Sequence, residues 1–280
     1  MTDYAFRIVN VFAESALGGN PLAVFEDGRG LDTATMQALA LQFNLSETTF
    51  ILPSARATAQ LRIFTPSFEM PFAGHPTLGS AHVVRALTGC GDRVTLEMPA
   101  GLIPVDGVGD RWTLSANAPR WREADIAPAE LAAALGLDAA AIAGKLLWVD
   151  TGSEQLIVPL RDAAAVQACQ PDPRRLQQHC HNGQRAMAYV WARSGADAAV
   201  VRFFFPKLGG LCEDPGTGSA CANLGGYLLA TGAATPLRWT LSQGDQVGRP
   251  CRLTLSVGGD GAIRVGGRVV ELARGTLTLP

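Results

Sequence analysis

A single glutamate, Glu47, lies where a predicted helix gives way to an apolar strand, in the segment Asn44-Leu-Ser-Glu-Thr-Thr-Phe50. Its neighbours Phe43, Leu45 and Phe50 are apolar and can exclude part of the surrounding water. A partly desolvated carboxyl group is suited to general acid and base catalysis near neutral pH. Most glutamates are exposed, so an ordinary surface glutamate at the start of a strand is the alternative interpretation.

A histidine lies at the start of a predicted helix, in the segment Gly74-His75-Pro76. The first N–H groups of a helix have no partner inside the helix, and the helix dipole favours negative charge there. An imidazole beside those groups can help to bind a substrate carboxylate. A histidine that caps its own helix fits the same pattern equally well. His82, in the middle of the helix, is predicted to be a packed side chain.

A second helix start carries a carboxylate and a hydroxyl, in Asp214-Pro-Gly-Thr-Gly-Ser219. Its two glycines allow the backbone to approach a ligand closely. Asp214 can orient a substrate amine or hydroxyl, with an ordinary turn aspartate before proline as the alternative. A serine hydrolase would use Ser219 as its nucleophile, His75 as its base and Asp214 to orient that base. The Gly-x-Ser-x-Gly pattern of many such enzymes is absent around Ser219, which disfavours this interpretation.

The sequence contains no recognisable cofactor motif. No Gly-Lys-Ser or Gly-Lys-Thr follows the glycines near Ser219, and Gly107 and Gly109 make no dinucleotide fingerprint, so we predict no nucleotide. The six cysteines include no Cys-x-x-Cys pair, which argues against a disulfide framework and a zinc site. The cluster His179-Cys180-His181 is predicted to be a solvated helix end rather than a metal site.

The elements that must position these residues occur twice along the chain. The strand Leu61-Arg-Ile-Phe-Thr65 leads through an acidic loop to His75, and the strand Val200-Val-Arg-Phe-Phe-Phe205 leads through another to Ser219. Each half also opens with a predicted hairpin, at residues 6–25 and 147–158. The repetition predicts two similar domains.

Both predicted central helices, residues 76–87 and 219–231, are rich in small residues. A glycine inside a helix costs about 1 kcal/mol relative to alanine, so its presence needs a packing reason. A sheet wrapped closely around each helix supplies that reason. We therefore predict an α+β fold of two pseudo-symmetric domains, each a strongly curved, barrel-like mixed sheet around a central helix, with both helix starts at the junction between the halves.

Other segments complete this plan. Residues 33–44 have the pattern of an amphipathic helix, residues 45–52 that of a strand and residues 128–137 that of a second helix. Three short closing strands between glycine turns are predicted at residues 253–257, 263–265 and 269–272. The first domain is predicted to span residues 1–116, completed by a C-terminal strand at about 269–280, and the second to span residues 117–268.

The overall composition favours a small molecule as the partner. The chain has 280 residues, 23 basic and 25 acidic side chains, and a formal net charge of -2. It has no basic run that would attract nucleic acid or anionic lipid. The uncharged stretch at residues 215–237 contains too many glycines for a membrane span and is predicted to be a loop followed by a buried helix. No secretory signal is recognised at the N-terminus, so a cytoplasmic location is expected.

Five segments together resemble the PhzF-like family of phenazine biosynthesis, which has the diaminopimelate-epimerase fold. They span nearly the whole chain in the family's order: Gly19-Asn-Pro-Leu-Ala-Val-Phe25, Asn44-Leu-Ser-Glu-Thr-Thr-Phe50, Phe72-Ala-Gly-His-Pro-Thr-Leu-Gly-Ser-Ala81, Glu213-Asp-Pro-Gly-Thr-Gly-Ser-Ala220 and Gln243-Gly-Asp-Gln-Val-Gly-Arg-Pro250. Each segment alone is weak, whereas the set is specific.

The resemblance implies a homodimer with an interdomain active site and no metal or organic cofactor. The implied reaction is an isomerisation like that of trans-2,3-dihydro-3-hydroxyanthranilate. Glu47 would transfer the proton, and the other implied site residues would hold a small carboxylate substrate. These are His75, Asp214 and Ser219, with nearby contacts from Asn20, Ser46, Gly74 and Gly218.

Related epimerases of the fold use a pair of thiols, one from each half. The equivalent positions here hold His75 and Ser219, which excludes that chemistry by resemblance, and Cys221 is predicted to be a small buried residue. The leading hypothesis is thus a cofactor-independent, proton-shifting isomerase. A binding protein of the same fold that lacks turnover is the alternative, because fold does not fix function.

Overall fold

A computed structural model describes residues 1–207 and 209–280 of the chain. These residues form two compact units. Unit 1 comprises Met1–Ser115 and Gly266–Pro280, and unit 2 comprises Ala116–Val265. The first and last segments of the chain therefore belong to the same unit.

Unit 1 contains two helices and nine strands, counting the last strand of the chain, which begins in unit 2. The helices are α1 (Thr33–Phe43) and α2 (Gly74–Thr88). The strands are β1 (Thr2–Val11), β2 (Asn20–Phe25), β3 (Glu47–Leu52), β4 (Ala59–Phe64), β5 (Glu69–Met70), β6 (Arg93–Met98), β7 (Gly101–Val108), β8 (Arg111–Ser115) and β17 (Ile263–Leu279).

Unit 2 contains the remaining elements of the described chain. Its helices are α3 (Pro128–Ala134), α4 (Ala163–Ala168), α5 (Pro173–His179) and α6 (Gly218–Ala230). Its strands are β9 (Arg120–Glu123), β10 (Leu147–Asp150), β11 (Glu154–Pro159), β12 (Ala188–Gly195), β13 (Ala198–Lys207), β14 (Gly210–Asp214), β15 (Leu237–Gln243) and β16 (Cys251–Val257).

Eight strands of unit 1 pair in a closed ring. Going round it, β1 pairs with β2, β2 with β3, β3 with β4, β4 with β6, β6 with β7, β7 with β8, β8 with β17, and β17 with β1. The β2–β3 and β4–β6 pairs are parallel, so the sheet is mixed. A closed ring leaves none of its strands with an unpaired edge.

Helix α2 lies against this ring and contacts β1, β2, β3, β4, β6, β7 and β8. Gly79 of this helix explains how strands β1 and β2 can approach the helix so closely. A Cβ atom on Gly79 would lie 2.7 Å from Leu22 Cδ2 and 3.0 Å from Val11 Cγ2. Because real Cβ atoms essentially never come so close, any larger residue at position 79 would require Leu22 to shift. This packing confirms the predicted central helix of the first half.

Unit 2 repeats the same order of pairings. Strand β10 pairs antiparallel with β11, β11 parallel with β12, β12 antiparallel with β13, β13 parallel with β15, and β15 antiparallel with β16. Helix α6 contacts β9, β10, β11 and β16. A Cβ atom on Gly226 of this helix would lie 2.8 Å from Pro119 Cβ and from Val149 Cγ1. The α+β class and the internal repeat predicted from the sequence are confirmed.

The repeat extends to one ion pair in each unit. Arg62 of β4 donates to both oxygens of Glu69 on β5 at 2.7 and 2.6 Å. Arg202 of β13 does the same to Glu213 on β14 at 3.0 and 2.8 Å. Each guanidinium also lies over the phenylalanine two residues later, at 5.0 Å from the Phe64 ring centroid and 4.6 Å from that of Phe204. In each unit, the ion pair thus links the short strand that leads to the central helix with the strand beside it.

The predicted closing strands need correction. We predicted separate strands at residues 263–265 and 269–272 with a glycine turn between them, whereas β17 runs without interruption through both. A Cβ atom on Gly266 would lie 2.5 Å from Trp112 O and from Thr113 Oγ1. The glycine is therefore needed for close approach of two strands, not for a turn. The strand at 253–257 is confirmed within β16.

Other predicted elements differ at their ends. Helix α3 stops at Ala134 instead of residue 137, because Gly136 has a φ of +73° and the Leu137 N–H donates back to the Ala132 carbonyl at 2.8 Å. Helix α2 begins at Gly74, two residues before the predicted start. In the part of the chain that the structure describes, no helix has the length and apolar character needed to cross a membrane.

Candidate functional site

The first half of the candidate site begins where α1 ends. Asn44 follows the helix with a φ of 50°, in the left-handed region that asparagine tolerates better than most residues, and its N–H donates to the Ala40 carbonyl at 3.1 Å. The chain then turns, and Glu47 is the first residue of β3. The motif from Asn44 to Phe50 thus ends helix α1 and places the carboxyl group of Glu47 at the start of the buried strand β3.

Glu47 and His75 form a close pair within unit 1, in which His75 is buried and Glu47 is half-buried. Glu47 Oε2 lies 3.3 Å from His75 Nε2, and the exposed fractions of the two side chains are 15% and 7%. At this distance a small adjustment of either side chain would let a proton pass between the carboxyl group and the imidazole. The structure therefore brings together the two residues of the first half that the sequence singled out.

The imidazole of His75 is held by the backbone of β2. It hydrogen-bonds to Pro21, and because proline has no N–H, the ring must donate to the Pro21 carbonyl. Burial lowers the pKa of His75 to about 3, and the Pro21 bond only partly opposes this. The ring is thus neutral at pH 7. The alternative that His75 caps its own helix is wrong, since Ala73 is the capping residue and no side chain caps the helix.

The other predicted residues of the first half differ in exposure. Ser46 is exposed, Gly74 is half-buried and Asn20 is fully buried at the start of β2. His82 accepts a hydrogen bond at Nδ1 from Trp112 Nε1 at 3.3 Å. This contact confirms that His82 is a packed side chain.

The second half of the candidate site is the loop between β14 and α6, within unit 2. Asp214 is half-buried, and its carboxylate accepts a short hydrogen bond from the Thr217 hydroxyl. Gln243, at the end of β15, clamps this loop with both ends of its amide. Its Nε2 donates to the Asp214 carbonyl at 2.8 Å and to Thr217 Oγ1 at 2.9 Å, and its Oε1 accepts from the Thr217 N–H at 3.2 Å. The loop that presents Asp214 is therefore held by a buried amide.

Ser219 is half-buried in the first turn of α6, one residue after Gly218, which is also half-buried. Its Oγ accepts a hydrogen bond from Gln155 Nε2 at 3.0 Å. A glutamine amide cannot act as a base, so this contact does not activate the serine as a nucleophile. The serine hydrolase interpretation gains no support from unit 2.

Three supporting residues were not identified from the sequence as part of the site: Gln155, Asn223 and Gln243. Asn223 lies within α6 and contacts both Gln155 and the β10–β11 turn. All three are polar residues on otherwise apolar elements, with exposures of 3%, 0% and 1%. A buried amide in such surroundings needs partners, and that signal could have marked them.

Cys221 is fully buried, and burial raises the pKa of its thiol far above the ordinary value. The prediction of a small buried residue there is confirmed. Across residues 1–207 and 209–280, no three His, Cys, Asp or Glu side chains lie together in a way suited to holding a metal ion.

Comparison with known proteins supplies the family. Residues 9–275 match the family model described as phenazine biosynthesis-like protein. An uncharacterised isomerase of Pasteurella multocida is 40% identical, over 100% of this chain and 96% of its own. The trans-2,3-dihydro-3-hydroxyanthranilate isomerase of Pseudomonas aeruginosa is 35% identical, over 97% of this chain and 98% of its own.

A crystal structure gives the same result for the fold. A Bacillus anthracis phenazine biosynthesis protein of the PhzF family superposes with a TM-score of 0.90 at 23% identity, over the full length of both chains. The likeness in sequence and in fold thus extends through both units. The chain belongs to the family of phenazine biosynthesis-like (PhzF) proteins and is an isomerase.

Proposed function

We propose that this isomerase moves a proton between two carbon atoms of a small unsaturated or cyclic carboxylate, without a metal or an organic cofactor. The observation that carries the proposal is the close pair of Glu47 and His75, with 3.3 Å between Oε2 and Nε2. Trans-2,3-dihydro-3-hydroxyanthranilate, which names the activity of several relatives, is the first compound to test.

Because His75 is neutral, the direction in which Glu47 and His75 can share a hydrogen bond is determined. Because Nε2 faces Glu47, the nitrogen that donates to the Pro21 carbonyl is assigned as Nδ1. A neutral imidazole has a single N–H, so Nε2 then carries a lone pair towards Glu47. A protonated Glu47 donates to this lone pair, whereas an ionised Glu47 does not and is ready to accept a proton from carbon. His75 is thus a positioning residue for the proton that Glu47 transfers.

The reaction then needs only one proton and no external reactant. Glu47 takes a proton from one substrate carbon, and the electron pair left behind spreads over the conjugated system. Glu47 returns the proton to a second carbon of that system. Backbone N–H groups at the start of a helix stabilise the negative charge that develops between the two steps.

Residues of unit 2 contribute binding in this proposal. Asp214 accepts hydrogen bonds from a substrate amine or hydroxyl, and Ser219 contacts the substrate near the start of α6. Asn20, Ser46, Gly74 and Gly218 are assigned to supporting contacts. This assignment rests on the position of each residue in the family motifs and on the clamped loop that holds Asp214.

The decisive test is Glu47→Gln, which keeps the shape of the side chain but removes its acidity. We expect the variant to lose turnover by about 10³-fold or more, with loss of deuterium incorporation at substrate carbon in heavy water. Glu130→Gln, on the surface of α3, is the matched control and keeps wild-type activity.

A variant at Glu47 that remains folded and still exchanges carbon-bound deuterium would remove this residue from the mechanism. Binding of the compound by wild-type protein with no exchange would instead favour a binding protein. Unchanged turnover after treatment with a chelator tests the absence of a metal. We further propose that the protein is cytoplasmic and forms a homodimer, and a mass in solution of twice that of the chain tests the dimer.

A further inference from the structure

The direction of the hydrogen bond on Ser219 is fixed by a buried chain of amides in unit 2. Gln155 lies between Ser219 and Asn223, with exposures of 3% for Gln155 and 0% for Asn223. An amide can present either its oxygen or its nitrogen to a neighbour, so the direction depends on groups whose polarity cannot change. Two backbone groups at the β10–β11 turn supply that constraint.

The backbone N–H of Thr151 can only donate, and it lies 2.9 Å from Asn223 Oδ1. The Thr151 hydroxyl lies 2.7 Å from the same oxygen. The Ser153 carbonyl can only accept, and it lies 2.8 Å from Asn223 Nδ2. The Asn223 amide is therefore fixed in one orientation. Its Nδ2 donates to Gln155 Oε1 at 2.8 Å, which leaves Gln155 Nε2 as the group that faces Ser219.

We infer that Gln155, oriented by Asn223, is a positioning residue that reserves the Ser219 hydroxyl proton for the substrate. A hydroxyl has one proton and two lone pairs, and Gln155 occupies a lone pair. The remaining proton lets Ser219 donate, so we assign the substrate group opposite it as an acceptor oxygen, such as that of a carboxylate. This inference rests on the proposed function, in which Ser219 contacts the substrate.

The surroundings of Ser219 agree with this polarity. The residue lies in the first turn of the thirteen-residue helix α6, where backbone N–H groups and the helix dipole favour a negative group. Asp214, on the loop before the helix, is the contrasting group, because an ionised carboxylate only accepts hydrogen bonds. Unit 2 therefore offers one donor for a carboxylate and one acceptor for an amine or hydroxyl.

The test is Gln155→Glu, which exchanges the donor for an acceptor of the same shape. Asn223 can still donate to the new side chain, but Ser219 now turns its proton towards position 155. With trans-2,3-dihydro-3-hydroxyanthranilate as substrate, we expect kcat/KM to fall about 10- to 100-fold, chiefly through KM. Gln155→Met, which removes the donor without adding an acceptor, is expected to lower it less, because the Ser219 proton remains available.

Gln155→Glu is also made in a Ser219→Ala background. This double variant separates an effect on the Ser219 hydroxyl from effects of the new charge or of a structural change. If Gln155 acts through the hydroxyl, Gln155→Glu causes no further loss there. A loss of equal size in both backgrounds would show that the new charge or a structural change is responsible, and would overturn the inference.

A measurement without substrate keeps this inference separate from the proposed function. In ¹⁵N–¹H spectra of side-chain amides, Ser219→Ala is expected to shift the Gln155 NH₂ resonances upfield. Those of Gln37, which donates to the Thr65 carbonyl in unit 1 at 2.8 Å, should not move. An unshifted Gln155 amide would contradict the inference even if the enzyme is active. Absence of turnover in wild-type protein would contradict only the proposed function.

Discussion

The two units use the same framework for different purposes. In each, an arginine and a glutamate on neighbouring strands form a bidentate pair, and a glycine-containing helix packs closely against the sheet. In unit 1 Phe50 lies opposite Arg62, and in unit 2 Val190 lies opposite Arg202. Phe50 and Val190 therefore correspond, and the residues three positions before them, Glu47 and Met187, correspond as well. The acid of the proposed reaction thus exists only in unit 1.

The helix starts differ in the same way. Gly74 and Gly218 each open a central helix, and the next residue is His75 in unit 1 and Ser219 in unit 2. His75 is a titratable group paired with a carboxyl, whereas Ser219 is a hydroxyl whose partner is an amide. In the proposed mechanism, proton transfer and substrate binding are thus assigned to two different copies of one scaffold. The scaffold residues are repeated, and the residues proposed to do chemistry are not.

The two ion pairs should give the greatest difference in stability between the units. Arg202 and Glu213 are more buried, at 11% and 9% exposure, than Arg62 and Glu69, at 21% and 29%. Arg202→Met leaves a buried carboxylate unpaired and is expected to lower the free energy of unfolding by about 3–5 kcal/mol. Arg62→Met is expected to cost about 1 kcal/mol. Urea denaturation of both variants makes the comparison, and equal losses would mean that burial does not distinguish the pairs.

A smaller effect is expected where the central helices touch the sheets. Gly79→Ala and Gly226→Ala each push a methyl group into atoms that lie 2.7–2.8 Å away, and each should cost about 1–3 kcal/mol. Gly226→Ala should cost more, because the ring of Pro119 cannot move aside as Leu22 can. Thermal denaturation measures both.

Gly91→Ala is the matched control for these two variants, since nothing lies within 4 Å of a Cβ atom at that position. Its stability should be close to that of the wild type. A tolerated alanine at both helix positions would show that the sheets are not in close contact with the helices.

A further contrast between the units concerns pH. The pKa of His75 is about 3 in the folded chain and near the ordinary 6.5 when unfolded. Between these values the unfolded chain binds a proton that the folded chain does not, so stability decreases as pH falls through this range. The contribution is at most about 1.4 kcal/mol per pH unit. His75→Gln should flatten the pH dependence of the urea midpoint between pH 4 and 6.

Ser219→Ala is the counterpart in unit 2, where the helix start holds no titratable group at that position. It should leave the slope of stability against pH unchanged. A wild-type slope that survives in His75→Gln would assign the pH dependence to other groups.

Local signals in the sequence predict the framework well. Asn44 marks the end of α1 because few other residues adopt its φ of 50°, and interior glycines mark the close packing of α2 and α6. Gly266 was misinterpreted because a glycine in a strand serves close approach as readily as a turn, and only the partner strand distinguishes the two. Whether Gly266 forms a turn or allows close strand approach depends on Trp112, which is far away in the sequence.

The candidate site was predictable to a similar degree. Glu47 and His75 were found because a motif and a helix start mark each of them. Gln155 could not be placed beside Ser219, because 64 residues separate them and nothing in the local pattern of β11 demands that contact. The side chains proposed to act on the substrate can be recognised by their chemical type and motif. The side chains that orient them can be recognised only from their contacts in the folded structure.

The ring of unit 1 has a consequence for how the protein is made. Its closing strand is supplied by residues after 265, which a ribosome adds only once all of unit 2 has been synthesised. The unit that contains Glu47 is therefore completed after unit 2 has been synthesised, although most of it is translated before unit 2. Until β17 is available, β1 and β8 each have an unpaired edge that is prone to pair with other chains. A nascent polypeptide stalled before Gly266 is the species for which a chaperone would matter most.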